Sequence, residues 1–447
     1  MNLRTSVVVR LLVMGFLMLV LLIPLTMVQS VVTERAGRRN EVAEEISGTW
    51  GAAQTIAGPV LVVPYRCTTI DNTGKQIQTI NRASFLPEVL DVQGVADTEL
   101  RKRTLFKVVV YKARLKVSGR FARPEMAGLI RSGAEPLWNE ATVNIGVSDP
   151  RGIARRLALK WNGQDIPFAP GITDASLFST GLHAPAQFSV AGPDAAIPFA
   201  FDLDLNGTRD LRLVPAGSET SLQLTSQWAH PGFTGAPLPE SRSVTAEGFS
   251  AAWRVPYFGR GFPQAWTDSV LDREKLKAQA DAASFGVSFV QPVDVYQQAE
   301  RAVKYASLFI VLTFVVFFLY EVMRSRLLHP VQYLFVGFAI CVFYLLLLSI
   351  SEHVGFDVAY AVAATATTLL IGSYSVFALG GARQGVLLGV AVAALYAFLY
   401  LLLRLEDYAL LAGSVGLFVM LAVLMLATRR VNWYELRLGQ ASTPDTL

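Results

Sequence analysis

Histidine and cysteine are the residues most often used for catalysis and metal binding, and this chain has few of either. It contains four histidines and two cysteines in 447 residues. His183 and His230 are far apart in the central part of the sequence, while His329 and His353 lie between apolar segments. The sequence has no HExxH motif, glycine-rich phosphate loop, nucleophile elbow or cysteine pair at zinc-ligand spacing. It therefore predicts no catalytic residue, no metal site and no cofactor.

Charged residues inside apolar segments are the next candidates, because they mark proton relays and ion paths in membrane proteins. The acidic residues all lie at segment ends, where we expect water to reach them: Glu321, Glu352, Asp357, Glu406 and Asp407. The polar residues within the segments are neutral, and we expect them to form interhelical hydrogen bonds. An ion-coupled transporter is therefore disfavoured, whereas a passive path or a lipid path stays open.

Six long apolar runs determine the architecture. Each is about 20 residues long or more, which is the length that a helix needs to span a bilayer. Runs this continuous are not typical of barrel strands. The runs cover residues 7–32, 303–322, 331–350, 358–379, 385–403 and 408–427. The sequence predicts an integral membrane protein with six transmembrane helices, one N-terminal and five C-terminal, and a large β-rich (α+β) domain inserted between helices 1 and 2.

We divide the chain into an N-terminal transmembrane anchor (1–32), a β-rich domain (33–302), a five-helix transmembrane bundle (303–428) and a cytoplasmic tail (429–447). The first apolar stretch is longer than the 7–15-residue core of a signal peptide, so we expect an uncleaved anchor. Charge-rich, helix-favouring residues follow it, and they predict that the first helix continues outward, with a break at Gly37 as one option.

The distribution of arginine sets the orientation, because short cytoplasmic loops carry an excess of Lys and Arg. Arginines precede the first run, follow the sixth and occupy the loops after the second and fourth runs: Arg4, Arg10, Arg324, Arg326, Arg383, Arg429, Arg430 and Arg437. The alternate loops are mostly acidic or neutral. Both termini are therefore expected in the cytoplasm and the large domain outside it.

The composition is typical of a membrane protein and argues against nucleic acid as a partner. Charged residues are 17% of the chain, below the ~25% of soluble proteins. Residues 33–302 hold 29 Lys and Arg against 28 Asp and Glu. A domain so close to neutral has no basic surface that would indicate nucleic acid binding. The partner that the composition itself indicates is the lipid bilayer.

The central region has the pattern of strands. From Tyr111 onward the sequence alternates strictly between apolar and polar residues, which is typical of a half-buried strand. Asn206-Gly207 indicates a hairpin turn between two alternating segments. Residues 243–255 are predicted as one strand and residues 268–283 as a helix. The absence of a βαβ rhythm favours an antiparallel domain.

Two local patterns indicate contact surfaces. Small residues recur every four positions on the fifth helix, at Gly381, Gly385, Gly389, Ala393 and Ala397. This spacing predicts a helix-packing face, either within one chain or between two copies in a homo-oligomer.

The second pattern is the segment of residues 228–239, which is dense in Gly, Pro and aromatic residues. Its Trp228, His230, Pro231 and Phe233 form either a rigid packed loop or a binding surface.

Four stretches of the sequence together carry a family resemblance. They are the segment from Glu34-Arg35 to Pro64-Tyr65, the segment from Trp228-Ala229-His230-Pro231-Gly232-Phe233 to Pro263, the segment from Val287 to Lys304-Tyr305-Ala306, and the segment from Glu321 through His329-Pro330-Val331-Gln332-Tyr333 to Glu352-His353. In these stretches the chain resembles the CreD family of inner-membrane proteins of Gram-negative bacteria. The resemblance spans nearly the whole chain and is loosest at about 120–220. It implies a periplasmic domain and a role in cell-envelope integrity linked to a two-component system. It supplies no catalytic residues.

The sequence therefore favours a non-enzymatic inner-membrane protein whose periplasmic domain binds envelope components or partners. A transport or lipid-handling protein is the first alternative, and it should show polar residues lining a cavity at mid-depth. A membrane-embedded enzyme is the second, and it should bring His183 or His230 together with carboxylates. A binding protein should instead expose an apolar patch on the domain.

Overall fold

The computed structural model describes residues 7–70, 76–103, 105–130, 134–186, 188, 195–268, 272–291, 295–324, 328–405 and 408–429. The chain divides into two compact units. Residues 1–40 and 293–447 form a helical unit, and residues 41–292 form a β-rich unit. The predicted domain bounds at residues 32, 302 and 428 stay predictions, and residues 430–447 lie outside the described part of the chain.

The helices of the described residues are α1 (Val7–Trp50), α2 (Arg273–Ala283), α3 (Val295–Lys304), α4 (Ala306–Arg324), α5 (Pro330–Val354), α6 (Phe356–Leu379), α7 (Ala382–Arg404) and α8 (Ala409–Thr428). Six helices, α1 and α4 to α8, are long and apolar enough to span a membrane. One of them is N-terminal and five are C-terminal, and the β-rich region lies between the first and second in sequence, so the predicted fold class is confirmed. The α1 helix runs through Gly37 without a break.

Within the helical unit, α1 packs through one face. Leu21, Leu25 and Val28 are buried at spacings of four and three residues, which place them on the same side of a helix. A Cβ atom at Gly337 of α5 would collide with the Leu21 side chain. Gly337 therefore lets α1 approach α5 closely, as small residues do between membrane helices.

The strands are β1 (Gln54–Ile70), β2 (Gln76–Phe85), β3 (Val89–Arg103), β4 (Phe106–Phe121), β5 (Glu135–Pro136), β6 (Thr142–Val147), β7 (Ala158–Trp161), β8 (Gln164–Pro167), β9 (Ala169–Pro170), β10 (Gly181–Pro185), β11 (Ile197–Thr208), β12 (Asp210–Leu213), β13 (Glu219–Ser226), β14 (Pro231–Thr234), β15 (Ser241–Thr245), β16 (Gly248–Pro256), β17 (Ala265–Thr267) and β18 (Phe285–Phe289). They form two sheets. The first follows the order β14-β18-β12-β1-β6-β10-β9, with β2, β5 and β17 attached. The second follows the order β15-β16-β13-β3-β4-β11-β7-β8.

The core of the β-rich unit lies between these two sheets. In β4, Tyr111, Ala113 and Leu115 are buried while the intervening residues are exposed, as the alternation predicts. Tyr111 meets Phe289 of the other sheet at a ring-centroid distance of 4.9 Å. The ring centroids of Trp253 and Phe285, which also belong to different sheets, lie 5.9 Å apart. Such interdigitating side chains define a β-sandwich.

The last turns of α1 also belong to the β-rich unit, where they pack on the hairpin formed by β3 and β4. Ala43 and Ile46 join an apolar cluster with two valines of β4. The Trp50 indole Nε1 donates to the Tyr111 carbonyl at 3.3 Å, and the Arg101 guanidinium lies 3.6 Å from the centre of the Trp50 ring. A cation over an indole face is attractive, so both polar and apolar contacts fix this end of the helix.

Two local predictions are wrong for identifiable reasons. Asn206 and Gly207 do not form a turn but continue β11, because a glycine is needed where Tyr111 packs against the strand. The chain then turns at Arg209, which has a positive φ of 61°, and passes into the other sheet. Residues 243–255 form two strands and not one, since Gly248 adopts a φ of 144° after a turn that follows Thr245.

Candidate functional site

The aromatic residues of segment 228–239 lie at one edge of the sandwich. Trp228 is half-buried, and its indole Nε1 donates to the carbonyl of Val290 at 3.0 Å. Pro231 and Phe233 are in β14. The centroid of the Phe233 ring lies 5.8 Å from the ring centroids of both Phe249 and Trp253. These contacts hold the segment in one conformation.

Part of this edge remains exposed and apolar. The exposed His230 ring meets Trp228 edge-to-face at 6.4 Å. Leu238 and Val244 have 64% and 48% of their surface exposed, and Val290 is exposed just after the end of β18. We define the edge surface as His230, Leu238, Val244 and Val290. Exposed aliphatic side chains close to an aromatic cluster are a common feature of protein-binding surfaces.

One residue of the edge surface, Val244, lies in a strand at the edge of the second sheet that is open for pairing. β15 is the last strand of its sheet and pairs only with β16 among the described strands, and all five of its residues are exposed. The other terminal strands of the two sheets are short or contain proline: β5, β8, β9, β14 and β17. Proteins usually shorten or block such edges to prevent pairing with other chains. β15 has no proline, so its backbone is available to accept an added strand.

The two histidines of the β-rich unit are not brought together. His183 lies in β10, and His230 immediately precedes β14. Five strand-to-strand steps separate β10 from β14 in the first sheet, which corresponds to roughly 24 Å. The His183 Nδ1 contacts the carbonyl of Gly171 at 3.0 Å. Among the described residues, no group of three or more His, Cys, Asp or Glu side chains could hold a metal ion.

A buried carboxylate fixes the junction that follows α1. Asp149 accepts from the Ala52 amide at 3.0 Å and from the Arg151 guanidinium at 2.8 and 3.0 Å. The hydrogen bond from the Arg151 side chain is the main reason that the pKa of Asp149 lies below its ordinary value, and burial opposes it. Gln54 completes the network by donating to the carbonyls of Asp149 and Asn206. This arrangement stabilises the fold and leaves no carboxylate oxygen free for chemistry.

A second buried carboxylate has neutral partners only. Asp174 accepts hydrogen bonds from the hydroxyls of Ser84 and Ser176 at 2.6 and 2.7 Å. Ser176 in turn accepts from the Trp266 indole at 3.0 Å. No imidazole takes part in this described network, so the serines lack the base that a nucleophile requires.

The small-residue stripe on α7 faces α6 over part of its length. A Cβ atom at Gly385 would lie 2.5 Å from the backbone nitrogen of Val376. At Gly389 it would lie 3.5 Å from the Cα of Gly372, which is an ordinary contact. At Gly381 the nearest group would be the neighbouring Gln384 side chain. The close approach is therefore centred on Gly385.

The last two positions of the stripe serve a different surface. Ala393 and Ala397 line an open groove of about 600 Å³ between α6 and α7. Their short side chains leave space between the rings of Tyr360, Tyr396 and Tyr400. Whether the stripe also contacts a second copy stays a prediction.

The expectation that acidic residues at helix ends are hydrated is confirmed for Asp357, whose side chain is 51% exposed, and is wrong for Glu321 and Glu352. Glu406 and Asp407 lie outside the described residues. Glu321 at the end of α4 has only 1% of its surface exposed. It forms an ion pair with Arg10 of α1, accepts from the Tyr333 hydroxyl at 2.8 Å and accepts from the Leu328 amide at 3.2 Å. A buried carboxylate is tolerated when such partners replace water. A cavity of about 510 Å³ adjoins this cluster and is also lined by His329.

A similar cluster lies at the far end of α5. Glu352, with 8% of its side chain exposed, accepts from the Tyr296 hydroxyl of α3 at 3.0 Å and lies 4.0 Å from the Arg35 guanidinium of α1. Each cluster thus combines a glutamate, a tyrosine and an arginine of α1. Sequence reasoning missed both clusters, because α1 is far from the C-terminal helices in sequence and meets them only in the folded bundle.

Comparison with known proteins supports one family over almost the full length. Residues 6–434 match the family described as "Inner membrane protein CreD". The chain is 32% identical over 425 residues to "Inner membrane protein CreD" of Escherichia coli (strain K12), covering 94% of this chain and 92% of that protein.

Solved structures offer a weaker likeness. Two crystal structures of an M1 zinc metallopeptidase from Deinococcus radiodurans, one of them a mutant bound to a tripeptide substrate, align with 39% of this chain and 41% of theirs. Their TM-scores are 0.18 and 0.19 at 9% and 10% identity. Values this low establish neither a shared fold nor a shared activity.

Proposed function

The chain belongs to the CreD family of inner membrane proteins, and we propose that it supports cell-envelope integrity by binding a protein partner through its β-rich unit. The action is binding and not catalysis. The partner is an envelope protein that offers an extended segment. The observation that carries the proposal is the combination of an open strand, β15, with the apolar edge surface next to it.

The physical basis is β-strand addition. A segment that pairs with an open edge gains main-chain hydrogen bonds, and pockets beside the edge select its side chains. β15 supplies the unpaired backbone, while Leu238 and Val244 supply exposed apolar contacts. Phe233 is held by its ring contact with Phe249, so the neighbouring surface is rigid before binding. A preformed surface lowers the entropic cost of association.

The proposal places the β-rich unit in the periplasm and both termini in the cytoplasm. The support is the arginine distribution: Arg10 in α1, Arg383 near the start of α7, and Arg429 after α8 fit the cytoplasmic side. Residues 4, 326, 430 and 437, which contribute to the same pattern, lie outside the described residues. A cysteine at the exposed Ile80 position, in a chain with Cys67 and Cys341 replaced by alanine, should react with a membrane-impermeant maleimide in intact spheroplasts. Reaction at Gln384→Cys under the same conditions would reverse the orientation.

Site-specific photocrosslinking tests the binding surface. A photoreactive residue at Leu238 or Val244 should give a discrete crosslinked band in intact cells, whereas the same residue at Ile80 should not. Ile80 is a matched control because it is an exposed aliphatic residue of β2, with 59% of its surface exposed. Equal crosslinking at all three sites would contradict the proposal.

Complementation then separates binding from chemistry. Leu238→Asp combined with Val244→Asp should fail to restore detergent resistance to cells that lack the protein, although Ile80→Asp should restore it. His183→Ala combined with His230→Phe should restore resistance at normal abundance, since phenylalanine keeps an aromatic ring in the edge surface but has no imidazole nitrogen for chemistry or metal binding. If the double histidine variant behaves like the deletion, an enzymatic or metal-dependent function replaces this proposal.

A lipid-handling or transport function is the second candidate, and the cavity beside Glu321 favours it. This cavity of about 510 Å³ places Arg10, Glu321 and His329 among the apolar residues of α1. Mixed polar and apolar lining is typical of sites for amphiphilic molecules. Scrambling of a fluorescent phospholipid in vesicles reconstituted with the purified protein, lost in Glu321→Gln, would establish this function. Scrambling equal to that of protein-free vesicles would exclude it.

A further inference from the structure

The groove between α6 and α7 has the shape of a lipid site. It has a volume of about 600 Å³ and is lined along α6 by Ala361, Ala364, Thr365 and Leu369. From Asp357 to Leu369 it follows about twelve residues of helix, or about 18 Å, slightly more than one leaflet of a hydrocarbon core ~30 Å thick. Ala361 and Thr365 are exposed, so no described helix covers the groove.

A charged pair stands at one end of this groove. Arg404 Nη2 donates to Asp357 Oδ2 at 2.6 Å, and the two side chains are 54% and 51% exposed. Tyr400 links them, because its hydroxyl donates to Asp357 Oδ1 at 3.2 Å and accepts from Arg404 Nε at 3.1 Å. The tyrosine holds both charges in place beside the groove that it also lines.

Both charges keep hydrogen-bonding capacity for a ligand. A guanidinium has five N–H donors and a carboxylate about four acceptor positions. The hydrogen bonds to Tyr400 and Asp357 use Nε and Nη2 of Arg404, which leaves the donors of Nη1 for another acceptor. An anion can therefore bind Arg404 while a primary ammonium binds Asp357, without separating the pair.

We propose that the groove holds one acyl chain of a phospholipid and that the Asp357–Arg404 pair binds its phosphoethanolamine head group. The phosphate accepts from Arg404, and the ammonium donates to Asp357. A phosphoglycerol head group has the phosphate but no cation, and a phosphocholine ammonium has no N–H to donate. The charge pattern of the pair thus selects the ethanolamine head group. This inference concerns the helical unit alone and is independent of the binding proposed for the β-rich unit.

Lipid retention tests the groove. After extensive washing in mild detergent, native mass spectrometry of the purified protein should show about one retained phosphatidylethanolamine per chain. Ala393→Phe combined with Ala397→Phe fills the groove and should abolish this peak. Ala394→Phe is the matched control, because Ala394 is an exposed residue of the same helix that does not line the groove. Equal retention in the groove and control variants would overturn the proposal.

Head-group selectivity tests the pair in variants that each remove one charge. Phosphatidylethanolamine added to delipidated protein should raise the melting temperature more than phosphatidylglycerol or phosphatidylcholine does. Asp357→Asn and Arg404→Gln should each bind it about tenfold more weakly, in line with the loss of one charged hydrogen bond. Equal shifts for the three lipids in the parent protein would mean nonselective annular lipid only. A groove variant that changes a dimer into a monomer without losing lipid would identify a second copy as the occupant, and both results overturn the proposal.

Discussion

The ion pair between Arg10 and Glu321 should stabilise the helical unit far more than a surface pair does. Glu321 is 1% exposed and the Arg10 side chain is 18% exposed. Replacing Glu321 by methionine breaks its pair with a largely buried guanidinium, and breaking a buried pair by removing one partner costs about 3–5 kcal/mol. The Tyr333 hydroxyl and Leu328 amide lose their acceptor in the same variant, and each lost hydrogen bond adds about 1 kcal/mol.

A double variant tests whether Arg10 and Glu321 stabilise the helical unit through their direct interaction. Arg10→Met should also destabilise, by about 3 kcal/mol, because Glu321 would keep only its neutral donors. Arg10→Met with Glu321→Met removes both charges, and apolar replacement of a buried pair is often nearly neutral. We expect the double variant to cost at least about 2 kcal/mol less than the sum of the single variants, which is a coupling in the range seen for residues in direct contact.

Reversible unfolding from dodecylmaltoside micelles with sodium dodecyl sulfate measures these differences. The pair Glu34–Arg38 on α1 is the control, since its groups are 3.1 Å apart and both are 61% exposed. A pair at this spacing on an exposed helix face contributes about 0.3–0.5 kcal/mol. Additivity of the Arg10 and Glu321 variants within about 0.5 kcal/mol would show that the cluster is hydrated and would refute the reasoning.

Two further predictions concern the packing of α7 and the junction after α1. Gly385→Ala should lower the melting temperature in detergent, with a cost of about 1–3 kcal/mol from overpacking, because its Cβ would lie 2.5 Å from the Val376 nitrogen. Gly389→Ala should be tolerated and Gly389→Ile should not, since there is room for a Cβ atom at this position but not for a larger side chain. Equal melting temperatures for Gly385→Ala, Gly389→Ala and Gly389→Ile would mean that the small-residue face of α7 contacts lipid. Asp149→Asn should cost about 1–3 kcal/mol at pH 7, as expected for hydrogen bonds to a charged group. Because the folded-state pKa of Asp149 is lowered, the stability that its charge contributes is complete above the ordinary pKa and is lost as the pH falls through the folded-state pKa. The difference in unfolding free energy between Asp149→Asn and the parent protein should therefore shrink on acidification. A difference that stays constant down to about pH 3, which is below the ordinary pKa of an aspartate, would contradict this.

The helices could be predicted from the sequence because their signal is local. Each apolar run has the length that a bilayer requires, and no tertiary contact is needed to recognise it. Arg260 shows the opposite case. It is buried, donates to the carbonyls of Ala216 and Gly217 at 2.6 and 3.1 Å, and has its pKa lowered by burial to about 10. Nothing near it in the sequence distinguishes this arginine from an exposed one.

The sheet order was equally hidden, since pairing joins distant segments. β1 pairs in parallel with β12, and β3 pairs in parallel with β13. The hairpin prediction at Asn206-Gly207 was wrong for the same reason. Its glycine is required by contact with Tyr111 in a neighbouring strand, and not by a turn. The edge surface depends on the same topology, because β14 and β15 are neighbours in sequence but end different sheets.

The two glutamate clusters together explain how α1 is held. Arg10 and Arg35 are separated by about 25 residues of continuous helix, or about 37 Å. This length exceeds the ~30 Å hydrocarbon core but is less than the ~40–45 Å of a whole bilayer, so both arginines fall at head-group depth. There a charged pair keeps partial access to water and costs less than at the bilayer centre. Because Glu321 and Glu352 bind α1 near both membrane surfaces, sliding the helix by one turn would break two clusters at once. The register of α1 against α4 and α5 is therefore set by charge, while Leu21 and Gly337 set the distance between helices.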